Sequence, residues 1–235
     1  MTCIAVIGGD GAGKTTVTRG LLESGRHPLR YLYMGINLES SNAALPTSRL
    51  LQRLRHGRKR PTTTHGAASA RPKPRGAKGA LRAGARLLYR LSEEWYRQAL
   101  CWLYQLRGEV VLCDRHFLYD FYEPKERLAA KGLADRVHLW VLRRIYPRPD
   151  LVLFLDAPAE LLFARKGEAT LEFLEGRRSA MLEIGAGDPR FVRIDATQPQ
   201  DAVRAEVEAR IEALLAERRS ALAPAREPAR RSGRG

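Results

Sequence analysis

Between Ser40 and Ser92 the chain has no Asp or Glu, although 13 Lys or Arg residues fall there. Nor is there a run of about eighteen uncharged apolar residues, which excludes a helix that spans a membrane. Cysteine is scarce: Cys3, Cys101 and Cys113 stand alone in apolar surroundings. They form neither a metal-ligand spacing nor an even set for disulfides, and a reduced, cytoplasmic setting is the expectation. The opening residues MTCIAVIGGDG lack a basic segment and a small-residue cleavage site. They read as a buried strand rather than an export signal.

The net charge of +15 is confined to two places. The acid-free stretch is one, and the other is Arg218 to Gly235, with six Arg and one Glu. The rest of the chain is slightly acidic. Basicity therefore belongs to an insertion and a tail, and a diffuse basic field of this kind speeds the approach of any polyanion, nucleotides included.

At 235 residues, 44% of them hydrophobic, the chain has the size of one domain with a substantial core. Thr2 to Gly8 is a short apolar run ending in glycines, suited to a central parallel strand. A helix is predicted from Lys14 to Ser24, stopped by Gly25 and Pro28. A second strand is predicted over Arg30 to Asn37. The basic segment 40–80 follows. From Arg58 to Gly79 it carries Pro, Gly, Ala, Thr and positive charge without apolar periodicity, and the composition predicts a flexible insertion. Leu87, Leu88, Leu91, Trp95 and Leu103 recur at helical spacing and predict a long helix from Leu81 to Leu106.

Further strands are predicted over Glu109 to Asp114, Asp150 to Asp156 and Phe191 to Asp195. Helices are predicted around Lys125 to Lys131, over Asp135 to Tyr146, from Ala159 onward and over Gln200 to Arg218. Residues 219–235 read as a disordered tail, leaving 1–218 as the folded domain. Strands alternating with helices imply an α/β fold, a five-stranded parallel sheet between two helical layers. Ligands in such sheets sit at the carboxyl ends of the strands, where Gly8, Asp114 and Asp156 all fall.

Gly8-Gly9-Asp10-Gly11-Ala12-Gly13-Lys14-Thr15 matches G-x-x-x-x-G-K-[ST]. Glycines let successive backbone N–H groups turn inward around a phosphate, where a side chain would collide. The helix that begins there adds its positive dipole end. Lys14 is suited to bridging the β- and γ-phosphates and Thr15 to offering its hydroxyl to Mg²⁺. Gly8 through Thr15, with Thr16, are thus the residues expected to hold ATP. Asp114 ends an apolar strand, where a carboxylate orients magnesium-bound water beside Thr15, and Arg115 follows within reach of a phosphate. A strand-end aspartate is also a common turn or cap residue.

These motifs, in this order, resemble the thymidylate kinase family of P-loop nucleotide kinases. GGDGAGKTT is close to that family's loop. Asp114-Arg115-His116 looks like its DR-aromatic triplet, and Leu155-Asp156-Ala157-Pro158 its strand-end LDxP. The Arg-rich stretch 165–178 occupies the position of its lid, and Asp195-Ala196 precedes the last helix as in the family. The resemblance covers nearly the whole chain apart from the basic insertion and tail. It implies a nucleotide-kinase fold with a lid, ATP with Mg²⁺, a small-molecule phosphate acceptor and, as in many such kinases, pairing into a homodimer.

Gly11 and Ala12 cannot supply the loop arginine that some members use, so the resemblance assigns that role to the lid. Arg165, Lys166, Arg177 and Arg178 are the candidates, with Arg165 the chosen catalytic residue beside Lys14, Asp114 and Arg115. The other reading of that stretch is a solvated helix face with Glu168, Glu172 and Glu175 as partners.

Three departures bear on the acceptor. Met34-Gly35-Ile36-Asn37 stands where the family has an Arg-Glu-Pro element. Glu94 stands where its helix carries an arginine, with Arg90 and Arg97 near. Aromatic residues fill Phe117 to Tyr122. A nucleoside monophosphate needs no base, because its phosphate oxygen is already an anionic nucleophile. A hydroxyl acceptor needs a carboxylate such as Asp10, Glu94, Asp114 or Asp120. A third reading, a nucleic-acid-associated ATPase gripping phosphates with the basic insertion, is opposed by the absence of interleaved aromatics from Arg58 to Gly79.

Overall fold

The computed structural model describes residues 1–36, 42, 43, 45, 76–121, 131–167 and 169–222. The expected helix from Lys125 to Lys131, nearly all of the basic insertion and most of the tail lie outside the described residues. Among the described residues no helix is long and apolar enough to cross a membrane.

Five strands form one sheet: β1 (Thr2–Gly8), β2 (Leu29–Tyr33), β3 (Val110–Asp114), β4 (Leu151–Asp156) and β5 (Phe191–Asp195). All pair in parallel, in the order β2-β3-β1-β4-β5. β1, β3 and β4 are continuous apolar runs because both of their faces are covered. On one face Ile4, Val6, Leu112, Leu153 and Ile194 meet the helices α1 (Lys14–Ser24) and α7 (Gln200–Leu222) through Val17, Leu21, Val203, Val207 and Ile211. On the other, Ala5, Ile7, Val111, Cys113 and Phe154 lie under α2 (Ala77–Leu106), α4 (Leu133–Arg144) and α6 (Leu171–Gly185). Each large aliphatic side chain buried this way contributes about 1.5–3 kcal/mol. Two short helices, α3 (Phe117–Asp120) and α5 (Ala159–Lys166), complete the described elements.

Several expected boundaries shift. The second strand stops at Tyr33 rather than Asn37, because Tyr33 pairs with Asp114, the last residue of β3, and no neighbouring strand extends further. The long helix begins at Ala77, inside the expected insertion, where Ala and Lys are good helix formers. The last helix continues to Leu222, past the expected end at Arg218.

The buried face of α2 also differs from expectation. Leu88 is 71% and Leu103 40% exposed, while Glu93, Glu94, Arg97, Gln98 and Cys101 point inward. That face carries a buried polar network, so burial does not follow hydropathy there.

Candidate active site

The segment from Gly8 to Lys14 leaves the carboxyl end of β1 and turns into α1. It is shaped by glycine where no other residue fits. Gly11 has φ 91°, and a Cβ there would lie 2.9 Å from the Leu162 carbonyl oxygen. A Cβ on Gly8 would lie 2.7 Å from the Leu155 carbonyl oxygen. Both close approaches are to backbone, so larger residues would force the turn open.

Lys14 is buried, and its Nζ donates to the carbonyls of Gly8 at 3.0 Å and Gly9 at 2.7 Å. Burial, with Arg115 nearby, lowers its pKa to about 8 against the opposing pull of Asp10, Asp114 and Asp120. Thr15 Oγ1 donates to Asp114 Oδ2 at 3.2 Å, and Tyr31 donates to the same oxygen at 3.2 Å. Thr16, one residue along α1, is exposed. The β1–β3 register sets Asp114 opposite Val6, which brings a residue 99 positions away to Thr15.

The Asp114 carboxylate is 2% exposed, and its Oδ1 has no hydrogen-bond partner among the described residues. A buried carboxylate oxygen without a donor is costly, and beside a hydroxyl it suits a hard divalent cation. Thr15 and Asp114 therefore fit Mg²⁺.

Arg115 is the one described non-glycine residue with positive φ, at 68°. Left-handed backbone costs about 1–2 kcal/mol. It is held there by the Arg115 N–H donating to Val6 O at 3.0 Å, which extends the ladder by one residue. The guanidinium pairs with Asp10 and lies 3.8 Å from Asp120. Burial opposes its charge, but Asp120 and Asp10 outweigh burial and raise its pKa above the ordinary arginine value. Asp10 shows the reciprocal effect: burial opposes, Arg115 and Lys14 prevail, and its pKa falls to about 2. Burial holds the Asp120 carboxyl above the usual range in spite of Arg115 and Arg177.

His116 does not face the site. It is buried, and its Nδ1 accepts from Leu118 N at 3.3 Å, capping α3. Burial lowers its pKa to about 3, so it stays neutral.

The Arg-rich stretch is two helices, α5 and α6, broken after Gly167, with the Thr170 side chain capping α6. Its cations go to different places. Arg165 lies beside the loop, with Nη1 3.4 Å from Gly11 O and 3.3 Å from Ala196 O. Lys166 is close enough to lower the Asp10 pKa. Arg177 donates to the Asp120 carbonyl at 3.0 Å. Arg178 grips the buried Asp156 carboxylate through Nε at 2.7 Å and Nη2 at 3.2 Å, and Arg193 joins at 2.6 Å. That places Arg178 in a structural anchor rather than over the loop.

Curated thymidylate kinases are similar to this chain. One from Leifsonia xyli subsp. xyli is 32% identical over 117 residues, 45% of this chain and 55% of the relative. One from Pseudomonas fluorescens is 37% identical over 119 residues, 46% and 56%. One from Deinococcus radiodurans is 34% identical over 117 residues, 43% and 53%. Over the matched residues the chain is similar to thymidylate kinases. It spans about half the length of the curated relatives it matches. No family model matches it.

Sequence reasoning named Arg97 and Glu94 but missed what they pair with. Arg97 is 1% exposed, and its Nη1 donates to Gly35 O at 2.6 Å, just past the end of β2. Its partner is Glu93 at 3.5 Å, and its guanidinium lies 5.2 Å over the Phe117 ring. Glu94, where an arginine was expected, is buried against His138 with Oε1···Nε2 at 2.6 Å. Glu93 Oε1, Glu94 Oε2 and Arg97 Nε are buried without hydrogen-bond partners among the described residues. The sequence signal was faint: charged residues at i, i+1 and i+4 in a helix otherwise read by its leucines.

Proposed function

We propose that the chain transfers the terminal phosphoryl group of Mg·ATP to a nucleoside monophosphate, with dTMP the first acceptor to test. The observation that carries this is the loop folded around Lys14 with Thr15 bonded to the buried Asp114. Backbone N–H groups from Gly9 to Thr15 and the Lys14 ammonium hold the donor phosphates. Thr15 and Asp114 would hold Mg²⁺, which would supply charge neutralisation on the donor phosphates. Arg115, at the carboxyl end of β3, is set to receive the acceptor phosphate. Arg165 reaches the rim of the loop at Gly11 and is the lid residue best placed to neutralise charge on the transferred group. An anionic acceptor oxygen attacks without a base, so positioning and electrostatics suffice. Similarity to thymidylate kinases over about half of each chain supports this reading.

The decisive experiment measures ADP release with purified protein and Mg·ATP against a panel of nucleoside monophosphates, nucleosides and sugars. Stimulation by a nucleoside monophosphate, lost by at least about a hundredfold in Lys14→Ala with the fold retained, is the expected result. Undiminished turnover in that variant removes the assignment.

A hydroxyl acceptor is the second reading, and one observation favours it. Arg115 is already neutralised by Asp10 and Asp120, and Glu94 replaces a cation on α2. A surface arranged this way is less attractive to an acceptor that carries its own phosphate. Release driven by a nucleoside or sugar, and by no monophosphate, selects this reading.

A further inference from the structure

All three cysteines of the chain converge, although they are far apart in sequence. Cys3 and Cys113 lie on adjacent strands and on the same sheet face, two residues apart in register, with Sγ···Sγ 3.5 Å. Cys101 comes down onto them from α2, and the three Sγ atoms lie within 4.8 Å of one another. A fourth sulfur closes the group: Met34 Sδ is 3.2 Å from Cys113 Sγ. Cys101, Cys113 and Met34 are fully buried, and Cys3 is 7% exposed.

Cysteine is a common core residue, and one or two here would need no comment. Three thiols from β1, β3 and α2 gathered without a disulfide, with the Met34 sulfur against Cys113, are harder to treat as filling. A cation about 2.3 Å from each of three sulfurs holds them roughly 3.8–4.0 Å apart. Cys3 and Cys113 Sγ stand 3.5 Å apart and all three lie within 4.8 Å, a range that brackets that separation.

We propose that Cys3, Cys101 and Cys113, with Met34 as an auxiliary thioether donor, form a binding site for a soft monovalent cation of the copper(I) class. The donor set decides the class. Thiolate with thioether selects Cu(I), whereas Zn²⁺ is held by thiolate, imidazole and carboxylate and gains little from a methionine. Cys3 N–H donates to Asp150 Oδ2 at 2.7 Å, and Asp150 is itself paired with Arg218. Each copper–thiolate bond releases that thiol's proton to water, and copper remains in the +1 state throughout.

The test is an anaerobic titration of reduced, full-length protein with Cu(I) buffered by bicinchoninate. Withdrawal of one Cu(I) per chain, accompanied by a near-ultraviolet thiolate-to-copper absorption, is the expected result. Cys101→Ala should weaken binding at least tenfold, and the volume-conserving Met34→Leu by a smaller factor. Wild-type protein that withdraws no copper overturns the proposal without recourse to any variant. So does full retention in folded Cys101→Ala and Cys113→Ala, which would place the metal elsewhere. Tighter retention of Zn(II) than of Cu(I) in parallel competition overturns the copper(I) class.

Discussion

Lys14 is charged against the preference of its surroundings, since burial and Arg115 both lower its pKa to about 8. Phosphate oxygens restore the charged form, so above pH 8 nucleotide binding must draw in a proton. Affinity for ATP should fall as pH rises through about 8, and calorimetry in buffers of different ionisation enthalpy should show proton uptake there. For Mg²⁺, Asp114→Asn should raise the concentration needed for half-maximal turnover by about 10–100-fold. His116 works in the other direction on stability. Its folded pKa is about 3 against an ordinary value of 6.5, so the unfolded chain takes up the extra proton between those values. Its contribution is complete above pH 6.5 and is lost progressively on acidification. The unfolding free energy from urea titration should fall by ~1–2 kcal/mol between pH 7 and pH 5, and less in His116→Asn, which keeps a capping acceptor. The loop was legible in the sequence because its spacing is itself the geometry, and Asp114 because it ends an apolar strand. The Asp10–Arg115 and Glu94–His138 pairs were not, since 105 and 44 residues separate the partners and only tertiary packing joins them.

The Arg-rich stretch shows at the level of helices what arginine content alone leaves open. Arg165 on α5 touches the loop, whereas Arg178 on α6 is committed to Asp156. Arg165→Ala should lower kcat by tenfold or more with stability unchanged, read by steady-state kinetics and thermal melting together. Arg178→Ala should instead cost about 1–3 kcal/mol of stability, because Arg193 still satisfies part of the buried carboxylate. Helix α2 was legible as a helix, but its orientation was not. Helical spacing of its leucines did not say which face is buried, and Leu81, Leu88, Trp102 and Leu106 are exposed.

At the scale of the molecule, alternation of apolar runs and helical spacing was enough to read five parallel strands and two covering layers. Strand order was beyond it, because order depends on crossovers that no local pattern encodes. The order found has a consequence for how the protein wears out on heating. β1 is bonded on both sides, to β3 and to β4, and carries the phosphate-binding turn at its tip. Amide protons of Ile4, Ala5 and Val6 should be among the slowest to exchange with deuterated solvent, released only when the whole domain opens. The turn at the tip of β1 should therefore persist as long as the chain is folded. A fall in turnover on mild warming before ellipticity changes is expected to arise in α5, which carries Arg165.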